Sequence, residues 1–185
     1  NYYNLLYQDL SNPFYNNATQ QTTAPGSTFK MVTATAGLTE GIISPGTTIL
    51  DKGQFEEVAN GPKCWIYPSS HGSINVSEAL RDSCNYFFYE TADRMGIDTL
   101  VRFAKYFGLG SKTGIELRGE TAGVVSGKES KQKLHNNEPW SAGDTLQSAI
   151  GQYDNEFSPI QMARYISMLA NGGHKIDPTI IKTIR

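Results

Sequence analysis

Apolar positions along the chain fall into helical stripes separated by turn-rich stretches. The clearest stripe follows Pro25-Gly26: residues 27–38 hold no proline and one late glycine, which predicts a central helix to about Thr39, ended near Gly41. Pro45-Gly46 and then Thr47-Thr48-Ile49-Leu50 predict a turn and a short strand, and residues 52–73 predict loop. Asn75-Val76-Ser77-Glu78 has the form of a capping box and opens a short helix to about Arg81. Ser83-Cys84-Asn85 interrupts it; residues 86–95 resume as helix and Gly96 stops them. Asp98 is expected to cap a helix over 99–107, ended by Gly108. Residues 113–117 predict a short extended piece and 119–139 a long polar loop. Ser158-Pro159-Ile160-Gln161 is a second capping box, with proline at the first helical position, and opens a helix to Ala170. Alternating β-branched residues predict a strand over 175–185, and the Asn-, Tyr- and Thr-rich residues 1–23 an irregular lead-in. Helices in the middle and strands at the ends point to an α+β domain represented mainly by its helical part.

Length and charge narrow this picture. The 185 residues suffice for one domain with a core, and 16 basic against 18 acidic residues leave no basic surface for nucleic acid. No apolar run approaches the roughly 18 residues of a membrane span, and no signal peptide is visible. The chain opens on Asn1 rather than Met and closes in a strand-like run, so residues 1–185 are expected to be an excerpt of a longer protein.

The chemistry begins at Ser27-Thr28-Phe29-Lys30. A serine at a helix start lies among free N–H groups that favour developing negative charge. A lysine three residues on shares its face. Packed among Phe29, Val32 and Ala34, Lys30 would lose hydration, and its pKa would fall toward that of a usable base. Ser83-Cys84-Asn85 lies on a break between two helices, where the first and third side chains can project together while Cys84 points away. Ser83 would bridge protons, and Asn85 would hold Lys30 and a substrate amide.

S-x-x-K on a helix followed by S-x-N resembles the penicillin-binding transpeptidases and serine β-lactamases. The likeness extends through Pro25-Gly26-Ser27-Thr28-Phe29-Lys30, His71-Gly72, Ser83-Cys84-Asn85, Phe107-Gly108-Leu109-Gly110, Gly114-Ile115-Glu116-Leu117, Ala149-Ile150-Gly151-Gln152 and Ser158-Pro159-Ile160-Gln161. In order and spacing these resemble class B penicillin-binding proteins over about residues 24–175, most of all the elongation-type enzymes or their sporulation relatives. The resemblance implies a peptidoglycan D,D-transpeptidase with Ser27 as nucleophile, Lys30 as base, Ser83 as relay and Asn85 as positioner. It implies stem peptides ending in D-Ala-D-Ala as substrates, β-lactams as acylating inhibitors and a membrane glycosyltransferase as partner. It also implies a parent protein anchored at the outer face of the bacterial cell membrane, with no cofactor needed for catalysis. A D,D-carboxypeptidase, a β-lactamase using Glu120, Glu129 or Glu138 to deacylate, or a non-catalytic β-lactam-sensing scaffold remain the alternatives. Lys112-Thr113-Gly114 spells the family's third motif but comes too early. That motif is expected on an edge strand after the last helix, beyond Arg185, and without it the excerpt should not turn over.

Asp51, Cys64, His71 and Cys84 are each competent zinc ligands, at spacings unlike a zinc finger. The two cysteines are open to a disulfide, free thiols or metal. Resemblance to elongation-type relatives, which carry zinc in this loop region, implies a structural zinc bound by these four side chains. Such an ion would fix the Ser83–Asn85 bend from behind.

Overall fold

The computed structural model describes residues 1–183. Eight α-helices and one small sheet are found there: α1 (Tyr2–Tyr7), α2 (Lys30–Thr39), β1 (Ile49–Asp51), β2 (Gly72–Ile74), α3 (Val76–Arg81), α4 (Asn85–Met95), α5 (Ile97–Tyr106), α6 (Lys128–Leu134), α7 (Ala142–Ala149) and α8 (Pro159–Ala170). The helix-rich α+β class is as expected. α2 is the shared wall of two apolar clusters. Its Ala34 joins Ile49, Phe55, Phe87, Phe88 and Leu146 on one side. Its Val32 and Ala36, with Phe29, join Leu100, Phe103, Phe157 and Tyr165 on the other. Gly37 lets α4 approach: a Cβ there would come within 2.8 Å of Thr91 Cγ2.

Several elements differ from the sequence expectations, each for a local reason. The predicted helix at Ser27 opens as a 3-10 turn, Gly26–Phe29, and becomes α-helical at Lys30. Residues 1–23 are not wholly irregular, because Asn1 Oδ1 accepts the Tyr3 N–H and starts α1, a helix with no buried residue. The tail of the expected 52–73 loop is β2, which pairs antiparallel with β1 (Ile49 with Ile74, Leu50 with Ser73, Asp51 with Gly72). The fifth helix starts at Ile97, so Asp98 sits in its first turn rather than at its cap and pairs with Lys128 at 2.6 Å. Residues 113–117 form no strand: the N–H groups of Thr113 and Gly114 go to the buried carboxylate of Glu120, at 2.6 and 3.1 Å. The polar loop over 119–139 contains α6, anchored by its buried Lys131, which meets Asp144 at 2.6 Å. Residues 175–183 are not a strand, since among the described residues no neighbour offers them a ladder; Glu116 accepts the Ile180 N–H instead. Residues 184–185 of that predicted strand lie outside the described residues. Both capping boxes hold where they were read: Asn75 N–H meets Glu78 Oε2 at 2.9 Å, and Ser158 N–H meets Gln161 Oε1 at 3.0 Å. Among the described residues no helix is long and apolar enough to cross a membrane.

Candidate active site

The nucleophile turn is held from three sides. Gly26 adopts φ +55°, and its N–H donates to Gly151 O at 3.0 Å. The backbones meet so closely that a Cβ on Gly151 would lie 2.2 Å from Gly26 O. Thr28 Oγ1 donates to Pro25 O at 2.7 Å, and Tyr165 Oη donates to Thr28 O at 2.9 Å. Ser27 is exposed on this rigid turn.

Lys30 follows one turn later and is 1 % exposed. Its Nζ donates to Ser83 O at 2.7 Å, Ser83 Oγ at 3.0 Å and Asn85 Oδ1 at 2.6 Å. Burial pushes its pKa down to about 8, against the raising influence of Cys84 and Cys64. The hydroxyl that meets Ser27 is that of Ser83, whose Oγ donates to Ser27 Oγ at 2.9 Å. A continuous hydrogen-bonded chain therefore joins Ser27, Ser83 and Lys30.

The bend between α3 and α4 makes this possible. Ser83 takes φ +52°, a left-handed conformation costly for a residue with a Cβ. This turns its carbonyl and its hydroxyl toward Lys30. Cys84 becomes the N-cap of α4 and points inward, fully buried, while Asn85 emerges on the Lys30 side. All four residues singled out from the sequence, Ser27, Lys30, Ser83 and Asn85, thus come together.

Behind the bend, ligand atoms of Asp51, Cys64, His71 and Cys84 all lie within 4.8 Å of one another. The cysteines are not joined. Their sulfurs are 3.8 Å apart; Cys64 Sγ is 3.7 Å from His71 Nδ1, and Cys84 Sγ is 3.6 Å from Asp51 Oδ2. Tetrahedral zinc with bonds of about 2.3 Å to sulfur separates two thiolates by about 3.8 Å, so the donor set and its spacing fit that ion. The Asp51–His71 edge is tighter, at 2.7 Å, a hydrogen-bond length. Burial pushes the Asp51 carboxyl up, but the N–H groups of His71 and Gly53 and the His71 ring more than offset it and hold it below the usual range. The Cys84 hydrogen bond draws the Cys64 thiol down to about 5 despite burial, aided by backbone N–H groups including that of Asn85. The same hydrogen bond, with burial, pushes Cys84 up.

The three glutamates weighed as deacylating bases lie elsewhere. Glu120 is buried against Thr113 and Gly114, Glu129 lies on α6, and Glu138 stands 4.0 Å from Lys131. Among the described residues, the one side-chain hydrogen bond to Ser27 Oγ comes from Ser83. Lys112 is exposed in irregular backbone, not on a strand, and the Thr113 hydroxyl is bound to Glu120 at 2.6 Å. The Gly151 support and the Trp65 indole, whose Nε1 donates to Asp82 O at 3.2 Å, were not singled out in the sequence as parts of the site.

The model of the penicillin-binding protein transpeptidase domain matches residues 1–185. The chain belongs to this transpeptidase family. It is 37% identical over 193 residues to the peptidoglycan D,D-transpeptidase MrdA of Haemophilus influenzae, an alignment covering 98% of this chain and 28% of that protein. It thus spans less than a third of that curated relative. Among solved structures, Pseudomonas aeruginosa PBP2 in complex with WCK 5153 has a TM-score of 0.89 at 33% identity, covering 98% of this chain and 41% of that one. PBP2 from Helicobacter pylori, in complex with MreC, has a TM-score of 0.88 at 30% identity, covering 96% and 33%.

Proposed function

We propose that this chain carries the acylating centre of a peptidoglycan D,D-transpeptidase. The observation that carries the proposal is the Ser27–Ser83–Lys30 chain ending on a buried amine. With Lys30 neutral, the Ser27 proton passes to Ser83 while the Ser83 proton passes to Lys30 Nζ. Ser27 Oγ bonds to the carbonyl carbon between the two terminal D-alanines of a stem peptide. The oxyanion forms beside the N–H groups that open the 3-10 turn. Collapse breaks the C–N bond, and the leaving D-alanine nitrogen takes the proton back along the same chain. The amine of a neighbouring stem then attacks the ester and completes the cross-link. Asn85 holds Lys30 and has amide donors for the peptide. A β-lactam acylates Ser27 by the same first step and has no leaving amine to lose.

Asp51, Cys64, His71 and Cys84 would hold a structural zinc, which supplies rigidity rather than reactivity and fixes the Ser83–Asn85 bend. The likeness to H. pylori PBP2, solved in complex with MreC, supports a role inside a multi-protein assembly, and the resemblance to elongation-type enzymes implies a membrane glycosyltransferase as partner. That resemblance also implies a parent protein placed at the outer face of the cell membrane. The position of the three glutamates favours a long-lived acyl-enzyme over a β-lactamase. Labelled penicillin tests this on the full-length protein. We expect one stable adduct, located on Ser27 by peptide mass and absent from Ser27→Ala. Rapid hydrolysis of the label, or an adduct elsewhere, would overturn the proposal.

A further inference from the structure

Two features of the cluster behind the Ser83–Asn85 bend go beyond what holding a metal requires. The first is that two of its four donors are cysteines whose sulfurs stand 3.8 Å apart with no bond between them. They are the two cysteines of the sequence, and both are buried. The second is how the sulfurs are tied to the bend. Cys64 Sγ, from the segment between β1 and β2, accepts the Asn85 N–H at 3.3 Å. Cys84 Sγ accepts the Phe87 N–H at 3.5 Å as the N-cap of α4, and Cys84 is itself the residue between Ser83 and Asn85. Any change in the distance between the sulfurs is therefore carried to both catalytic side chains of the bend. A disulfide needs its sulfurs about 2.0 Å apart, so bonding this pair closes a gap of roughly 1.8 Å.

We propose that Cys64 and Cys84 form a redox switch, open to metal as a dithiol and closed as a disulfide, and that the closed form slows acylation of Ser27. This rests on the acyl-transfer reading and adds a regulation of that site. Metal and disulfide exclude each other, because a sulfur bonded to sulfur has no thiolate to give an ion. The oxidant is a peroxide. One thiol takes an oxygen from it and becomes a sulfenic acid, with release of water. The other sulfur attacks the sulfenic sulfur, the S–S bond forms, and the oxygen leaves as a second water. Two electrons pass from sulfur to peroxide, and both thiol protons leave in the waters. Closing the gap draws the head of α4 and the Asn85 N–H toward Cys64. Lys30 Nζ meets Ser83 O, Ser83 Oγ and Asn85 Oδ1 at 2.7, 3.0 and 2.6 Å, contacts that do not survive a shift of that size unchanged. A reducing thiol reverses the step by disulfide exchange.

The test treats the full-length protein, stripped of metal with a chelator, with hydrogen peroxide, then blocks free thiols with iodoacetamide and digests without reductant. Peptide mass is expected to show Cys64 joined to Cys84, two hydrogens lighter than the separate peptides and split by dithiothreitol. Acylation by labelled penicillin is expected to fall by at least about tenfold and to return to within about twofold of the untreated rate after dithiothreitol. Zinc-loaded protein is expected to link more slowly and to release its ion as the link forms. Cys64→Ser is expected to keep its own untreated rate through the same peroxide dose. Both cysteines alkylated after peroxide, sulfinic acids in place of the link, or a link that leaves acylation unchanged overturns the switch. So does a link formed with zinc still bound, or an equal peroxide loss in Cys64→Ser. The peptide masses and the recovery with dithiothreitol come from wild-type protein alone, so they decide the matter even should Cys64→Ser not fold. In all of these cases the reduced protein still labels at Ser27 and the acyl-transfer reading survives. No labelling of the reduced wild-type protein would remove both.

Discussion

Replacing Lys30 by Met removes the amine while keeping most of the side-chain volume. Two opposing terms decide what this does to stability. Lys30 is 1 % exposed and its pKa falls from 10.5 to about 8, so holding its charge in the folded protein costs roughly 3 kcal/mol, at about 1.4 kcal/mol per pKa unit. Against that, Ser83 O, Ser83 Oγ and Asn85 Oδ1 all lose a donor, at about 1 kcal/mol each. The two nearly cancel, so urea unfolding of Lys30→Met is expected within about 1.5 kcal/mol of wild type. Acylation by labelled penicillin is expected to fall by about 10²–10⁴, the range for loss of a positioned base. The sign of the pH effect follows as well. Between about 8 and 10.5 the unfolded state binds more protons than the folded one, so wild-type stability rises with pH across that window, and this rise is absent from Lys30→Met. Destabilisation by more than about 4 kcal/mol with acylation retained would show Lys30 to be a structural strut, and would refute the reasoning.

Zinc is expected at one ion per chain in protein purified without tags or added metal, and Cys84→Ala should lose the ion and slow acylation through the adjoining Ser83 bend; metal-free protein with unchanged melting would end that expectation. Gly151→Ala should slow acylation by at least about tenfold, measured with labelled penicillin, because the added Cβ meets Gly26 O at 2.2 Å and must displace the nucleophile turn. Glu120→Gln removes a buried carboxylate that accepts two N–H groups and the Thr113 hydroxyl, and should cost about 2–3 kcal/mol in urea unfolding while leaving the acylation rate within about twofold.

Much of the site was legible because its geometry is local. A serine and a lysine three apart on a helix share a face wherever that helix is put, and a bend that buries Cys84 must send Ser83 and Asn85 the other way. The four ligand candidates could be named from their chemistry, and the resemblance supplied their grouping; their approach to within 4.8 Å depends on how β1, β2 and the loop between them fold back on α4. What stayed hidden depends on distant partners. Gly151 supports Gly26 across most of the chain, and nothing in Ile150-Gly151-Gln152 itself announces that contact. β2 is three residues long and opens on Gly72, too short to alternate. The polar sequence of α6 hides a helix held by the Lys131–Asp144 pair rather than by an apolar face, its one leucine being 57 % exposed. The strand expected over 175–185 has a sequence fit for pairing, but among the described residues it has no ladder to join, and residues 175–183 run irregularly.

The proton route from Ser27 through Ser83 to Lys30 is tested most directly by the pH dependence of acylation of the full-length protein by labelled penicillin. A buried amine with a pKa of about 8, acting as the base, predicts a rate that climbs roughly tenfold per pH unit below about 8 and then levels, with the climb lost in Lys30→Met. A rate that is flat through this range, or that falls as Lys30 loses its proton, would contradict it.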